Sequence, residues 1–118
     1  MTAFSKPTPI GTNYANVGVG SAVVQLVTPS QNLHGLVIRT CYLNAVSGVM
    51  GVQLFADTAA PSAFGDPTKR LIFLANPIPT FGIHYPIYVP PGQGLWAVAS
   101  GPNASINMTY DLLTAPLV

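Results

Sequence analysis

Twelve prolines and eleven glycines are spread through 118 residues so evenly that few windows longer than ten escape one. An α-helix cannot propagate through that spacing, because proline removes a backbone donor and glycine raises the entropy cost of ordering. Short β-branched and aromatic runs remain between turn signals, the pattern of an all-β sandwich or barrel. We read strands at 17–28, 34–44, 49–56, 69–75, 83–89, 94–100 and 104–113, the first of them breakable around Gly18-Val19-Gly20-Ser21. The expected fold is all-β: an antiparallel β-sandwich, jelly-roll-like, spanning 14–118 as a single domain, preceded by an extended N-terminal arm at 1–13.

The last run sets the clearest pattern. In "SINMTYDL", Ile106, Met108, Tyr110 and Leu112 alternate with Ser105, Asn107, Thr109 and Asp111, so one face is apolar and the other polar. "LVIRTCYL" (36–43) is apolar on both faces apart from Arg39 and Thr40, which predicts burial on both sides. In "IHYPIYV", Ile83, Tyr85, Ile87 and Val89 fall on one face, and His84, Pro86 and Tyr88 on the other. Pro86 cannot donate to a ladder and belongs at an edge or a bulge. The segment 56–69 reads as a long loop holding two of the three acids, either a solvated connector or a carrier of function.

Charge is scarce. Lys, Arg, Asp and Glu make up 6% of the chain, against about 25% in ordinary globular domains, and Glu is absent. The solvated surface must then be built from amides, hydroxyls, Gly and Pro, and some apolar surface is left to meet other protein. We therefore expect a homo-oligomer. A net charge of +1, with Lys6, Arg39, Lys69 and Arg70 forming no stripe, argues against a nucleic-acid partner. No apolar run is long enough for a membrane helix. The N-terminal segment "MTAFSKPTPIGT" has no apolar h-region, so synthesis in a host cytoplasm without a secretory signal is expected.

Catalytic patterns are not found. The turn "VPPGQGL" (89–95) lacks the GxxxxGK[ST] and GxGxxG spacings of phosphate cradles, and a strand follows it rather than a helix. It reads as a hairpin turn, with Gly92 and Gly94 supplying positive φ. His34 and His84 have no HxH or HxxxH partner, and Cys41 stands alone, so neither a metal nor another cofactor is expected. The expected chain is not an enzyme. Exposed aromatics could serve a sugar-binding face, and Phe81, Tyr85, Tyr88 and Trp96 cluster around the last turn.

The stretch "IYVPPGQGLWAVASG", followed by the closing strand "INMTYDLL", resembles small jelly-roll virion proteins of tailed bacteriophages, of the head decoration or cement type. Val89, Pro90, Gly92, Gly94, Leu95 and Trp96 carry the match, over about a quarter of the chain. The resemblance implies a structural virion protein, usually a homotrimer, that decorates or stabilises a capsid lattice. Its partners would be itself and the major capsid or tail protein, its location the virion. The alternative is a carbohydrate- or receptor-binding module of a phage tail. For assembly contacts we single out the arm residues Phe4, Pro7, Pro9 and Ile10, with Tyr88 and Trp96 at the last turn.

Overall fold

The computed structural model describes residues 9–45, 51–75, 81–83 and 85–117. Among the described residues nine strands form: β1 (Asn13–Val19), β2 (Val24–Val27), β3 (Leu36–Asn44), β4 (Val52–Asp57), β5 (Leu71–Ala75), β6 (Phe81–Ile83), β7 (Ile87–Val89), β8 (Gly94–Ala99) and β9 (Ala104–Leu112). They make an all-β sandwich of two antiparallel sheets. One has the order β1-β9-β3-β6, with β7 also on β3; the other has the order β2-β8-β4-β5. β6 pairs with residues 41–43 of β3 and β7 with 36–38, so the two are successive pieces of one lane.

The gap in that lane lies at Tyr85 and Pro86, both exposed. A proline cannot donate, so the ladder stops there, as its chemistry requires. Opposite the gap, β3 carries a bulge. Ile38 faces Tyr110 across the β9 ladder and Thr40 faces Thr109, which leaves Arg39 as the extra residue. The bulge shifts the alternation by one, so Leu36 and Ile38, then Cys41 and Leu43, point into the core, while Arg39 and Thr40 both point outward. This corrects the expectation that β3 is buried on both faces. Its outer face is only partly covered, and Tyr42 is 47% exposed.

The strands buried on both faces are β4 and β8. Leu54, Leu95 and Ala97 face the core shared by the two sheets, together with Ile106 and Met108 of β9. Gln53 and Phe55 of β4, with Trp96 and Val98 of β8, lie on the far side of their sheet and are still buried. β1 begins at Asn13, inside the expected arm, and Gly11 N–H donates to Thr109 Oγ1 at 2.9 Å. The stretch 11–13 is therefore tied to its own β9.

The turn at 90–93 is not a hairpin. β7 belongs to the first sheet and β8 to the second, so "PPGQ" carries the chain across the sandwich. Asn32, 1% exposed, holds the crossing: its Nδ2 donates to Pro90 O at 2.7 Å and Gln93 O at 2.9 Å, and its carbonyl accepts from Gly92 N–H at 2.8 Å. Asn32 is itself placed by a 3-10 turn at Pro29–Gln31, where the Thr28 and Gln31 side chains cap each other's backbone N–H. Gly92 has φ +83° as expected, but Gly94 does not have positive φ. Gly94 is needed for space: a Cβ there would sit 2.5 Å from the Val27 carbonyl and 2.9 Å from the Trp96 ring.

Candidate functional site

The two sheets meet solvent differently. On the far side of the β2-β8-β4-β5 sheet, Gln53 and Phe55 of β4 stand beside Val98 and Trp96 of β8. All four are buried, Trp96 at 4% exposure. The loop 58–70 lies on this side. Gly65 N–H donates to Gln53 Oε1 at 2.7 Å, and Phe64 reaches over Gly51.

The loop's acids hold its shape. Asp66 accepts from Ser62 N–H at 2.8 Å and from the Thr68 hydroxyl at 2.6 Å, and Asp57 accepts from the N–H groups of Thr58 and Arg70. The Thr68 hydroxyl, followed by the Ser62 and Thr68 amides, holds the Asp66 carboxyl well below the usual carboxylate range. The Thr58 and Arg70 amides lower Asp57 in the same way. These bonds hold the long loop in shape, and it meets the far side of the sheet at Gln53 and Gly51.

The outer face of the other sheet has no such cover among the described residues. It presents Tyr14 and Asn16 from β1, Asn107, Thr109 and Asp111 from β9, and Thr40 and Tyr42 from β3. Three strand registers place Asn16, Asn107, Tyr42 and Gly82 in a single row across the sheet. Asn107 Nδ2 donates to Asn16 Oδ1 at 2.9 Å, and in the neighbouring row the hydroxyls of Thr40 and Thr109 meet at 2.7 Å. A depression of about 340 Å³ lies along these rows, with the backbone of Cys41 and Met108 in its floor. Cys41 and Met108 themselves turn to the core, where burial pushes the Cys41 thiol up to about 12.

At one end of this face Arg39 Nε meets Asp111 Oδ2 at 3.0 Å, and Thr12 donates its N–H and its hydroxyl to the other carboxylate oxygen. The Thr12 amide, with the Arg39 guanidinium behind it, lowers the Asp111 carboxyl. Among the described residues no group of three His, Cys, Asp or Glu side chains is placed to hold a metal ion. No helix among them is long and apolar enough to cross a membrane.

No family model, curated protein or solved structure matches this chain. The candidate residues must be judged by where the fold puts them. Phe4, Pro7, Phe81's side chain and His84 lie outside what is described. Pro9 and Ile10 are exposed just before β1, and Tyr88 is exposed on β7 with its ring over Gly35. Trp96 is displaced from the role expected of it: its ring is covered from within the chain, on the opposite sheet from Tyr88. The fold thus does not bring Tyr88 and Trp96 together on one surface. The row Asn16–Asn107–Tyr42–Gly82 was not singled out by the sequence. Asn107 already stood on the polar face of the closing strand, but which strands flank it is set only by the sheet order.

Proposed function

We propose that this chain is a structural virion protein that works by self-association on a capsid or tail lattice rather than by catalysis. The observation that carries the reading is the edge strand β5. It ends the second sheet, it contains no charged residue, and it exposes Leu71 and Leu74. An apolar strand at the end of a sheet, with leucines exposed on it, is a surface that a second copy of the chain is fitted to cover. Closed symmetric assembly would cover such edges. Leu33, Tyr85 and Leu117 are exposed as well, on a surface with few charges to screen them.

The strand order supports the same reading. With β6 and β7 taken as one interrupted lane, the orders β1-β9-β3-β6 and β2-β8-β4-β5 are those we read as a jelly roll, an architecture used by viral capsid and lectin domains. The test is native mass by light scattering across a dilution series. A stable oligomer, a trimer in the form proposed, should fall to the 12.3 kDa monomer when Leu71→Lys and Leu74→Lys are combined, with circular dichroism unchanged. A wild-type chain that stays monomeric at high concentration overturns self-association. Peptides of the chain banding with gradient-purified particles would support the virion role; confinement to unassembled fractions would overturn it.

A further inference from the structure

We propose that β1 pairs with β1 of a second copy of this chain, antiparallel and in a register centred on Asn16, joining two β1-β9-β3-β6 sheets across a two-fold axis. The contact goes beyond the association at β5 and does not rest on it.

The form of the sheet edges singles out β1. Natural sheets blunt their edges with short strands, bulges, proline or charge, because an edge accepts another strand. Among the described residues, β2 is four residues long and bulges at Leu26, and β5 bulges at Ile72 and follows Lys69 and Arg70. The β6–β7 lane is broken around Pro86. β1 has none of these devices. Its seven residues all pair with β9 without a register shift, and none of them is charged or a proline. β1 ends its sheet, so alternate residues turn their backbone N–H and C=O away from β9. On that side they meet no hydrogen-bond partner among the described residues.

The side chains say which strand fits. The outer face of β1 presents Tyr14, Asn16 and Gly18, and the inner face Ala15, Val17 and Val19. An antiparallel pair centred on Asn16 uses the whole strand and sets Tyr14 opposite the partner's Gly18. Tyr14 is 71% exposed, and a Cβ at Gly18 would meet nothing within 4 Å. An aromatic ring laid across a cross-strand glycine covers the backbone that the glycine leaves bare. The strand is therefore complementary to itself, ring against gap, on both sides of the axis.

At the axis Asn16 meets the partner's Asn16. Asn16 Oδ1 accepts from Asn107 Nδ2 at 2.9 Å, while Asn16 Nδ2 has no partner among the described residues. Each Nδ2 then faces a carbonyl oxygen with a lone pair to spare. On the inner face Ala15 meets the partner's Val17, at a rim of the core where both residues are only partly buried. A second copy is the occupant because the strand supplies both halves of this fit, and it carries no charge for an acidic or basic segment to answer. One strand pair buries less than the roughly 1,200–2,000 Å² of a stable complex, so the contact opens on dilution and closes at high concentration.

The test is an Asn16→Cys variant of the full chain, oxidised in a glutathione redox buffer over a concentration series. The register places the two introduced thiols opposite each other, with Cβ atoms about 5 Å apart. Asn107→Cys, on the neighbouring strand, is the control, because its two copies would stand about 14 Å apart, three strand spacings. Native Cys41 is buried and does not compete. Disulfide-linked dimer should form from Asn16→Cys about tenfold more readily than from Asn107→Cys. Adding Gly18→Val should cut that yield about tenfold, since the new side chain has room within one copy and collides with the partner's Tyr14. Its melting temperature should not fall, because valine suits a strand better than glycine. If Gly18→Val does not fold, Tyr14→Ala takes its place, with an expected loss of about threefold.

Equal cross-linking at positions 16 and 107 overturns the proposal. So does cross-linking that Gly18→Val and Tyr14→Ala both leave intact. Repeating the series with Leu71→Lys and Leu74→Lys added separates the two contacts. Asn16→Cys dimers that persist there support pairing through β1, and their loss overturns it as an independent contact. Light scattering on the same samples reports on β5.

Discussion

The two outer faces of the sandwich differ in residue type and end in opposite states. One carries Phe55, Trp96 and Val98 and is sealed by the chain's own loop; the other carries Tyr14, Asn16, Tyr42 and Asn107 and is left to solvent. The sealed face contributes apolar burial to stability, and Gln53 pairs with the loop backbone so that its amide is not stranded. The open face contributes little beyond its ladder, because most of its side chains are polar and already wet. Burial on the β4-β8 side and polarity on the β9 side thus set how much each face adds to stability within one small domain.

That division predicts very different costs for substitutions on the two faces. Trp96→Ala removes a large side chain that is 4% exposed and should destabilise the fold by about 3–5 kcal/mol, measured by guanidinium unfolding. A loss under about 1 kcal/mol would mean that the Trp96 ring is not part of the packing on this face. Asn32→Ala deletes both amide bonds to the 90–93 crossing and should cost about 2–3 kcal/mol, since two carbonyls lose their donor. Asn32 Oδ1 is itself buried without a partner, which moderates the loss.

Acid should open the sealed face before the rest. Asp57 and Asp66 are held below their ordinary values, so their contribution is present above the unfolded carboxylate value of about 4 and fades as pH falls through the lower folded values. Protection factors at Gly65 and Thr68, which correct for the slower intrinsic exchange of amides in acid, should therefore fall below about pH 4, and Asp66→Asn should remove part of that dependence. Equal protection factors at neutral and acid pH would break the link between the acids and the loop. On the open face, Asn107→Ala should change stability by no more than about 0.5 kcal/mol. Asp111→Asn, which breaks a partly exposed ion pair with Arg39, should cost about 0–1 kcal/mol. A large effect from Asn107→Ala would make the amide pair a structural device instead of a surface feature.

Legibility varied with how local the cause was. The closing strand read directly, because Ile106, Met108 and Tyr110 alternate without interruption against Ser105, Asn107 and Thr109. The place of Pro86 on an edge also read directly, since a missing donor acts where it stands, but the single strand expected over 83–89 is two, β6 and β7. The bulge at Arg39 did not: an added residue is invisible to a period-two reading, and it turned the apparently double-sided β3 into a strand with a definite inside. Trp96 was misplaced for a related reason. Its burial depends on what packs against the far side of the β4-β8 pair, which a linear reading does not place.

Composition and turn chemistry by themselves determined that this protein is all-β, with its strands close to where they lie and with too few charges to clothe its surface. Proline, glycine and side-chain alternation act on the nearest residues, so a linear reading captures them. Which sheet each strand joins, that the 90–93 turn crosses the sandwich, that the 58–70 loop seals one face, and that Asn16, Asn107, Tyr42 and Gly82 share a row were decided only by tertiary structure. Each depends on pairing between strands far apart in sequence, such as β1 with β9, whose register is selected by the burial of all faces at once.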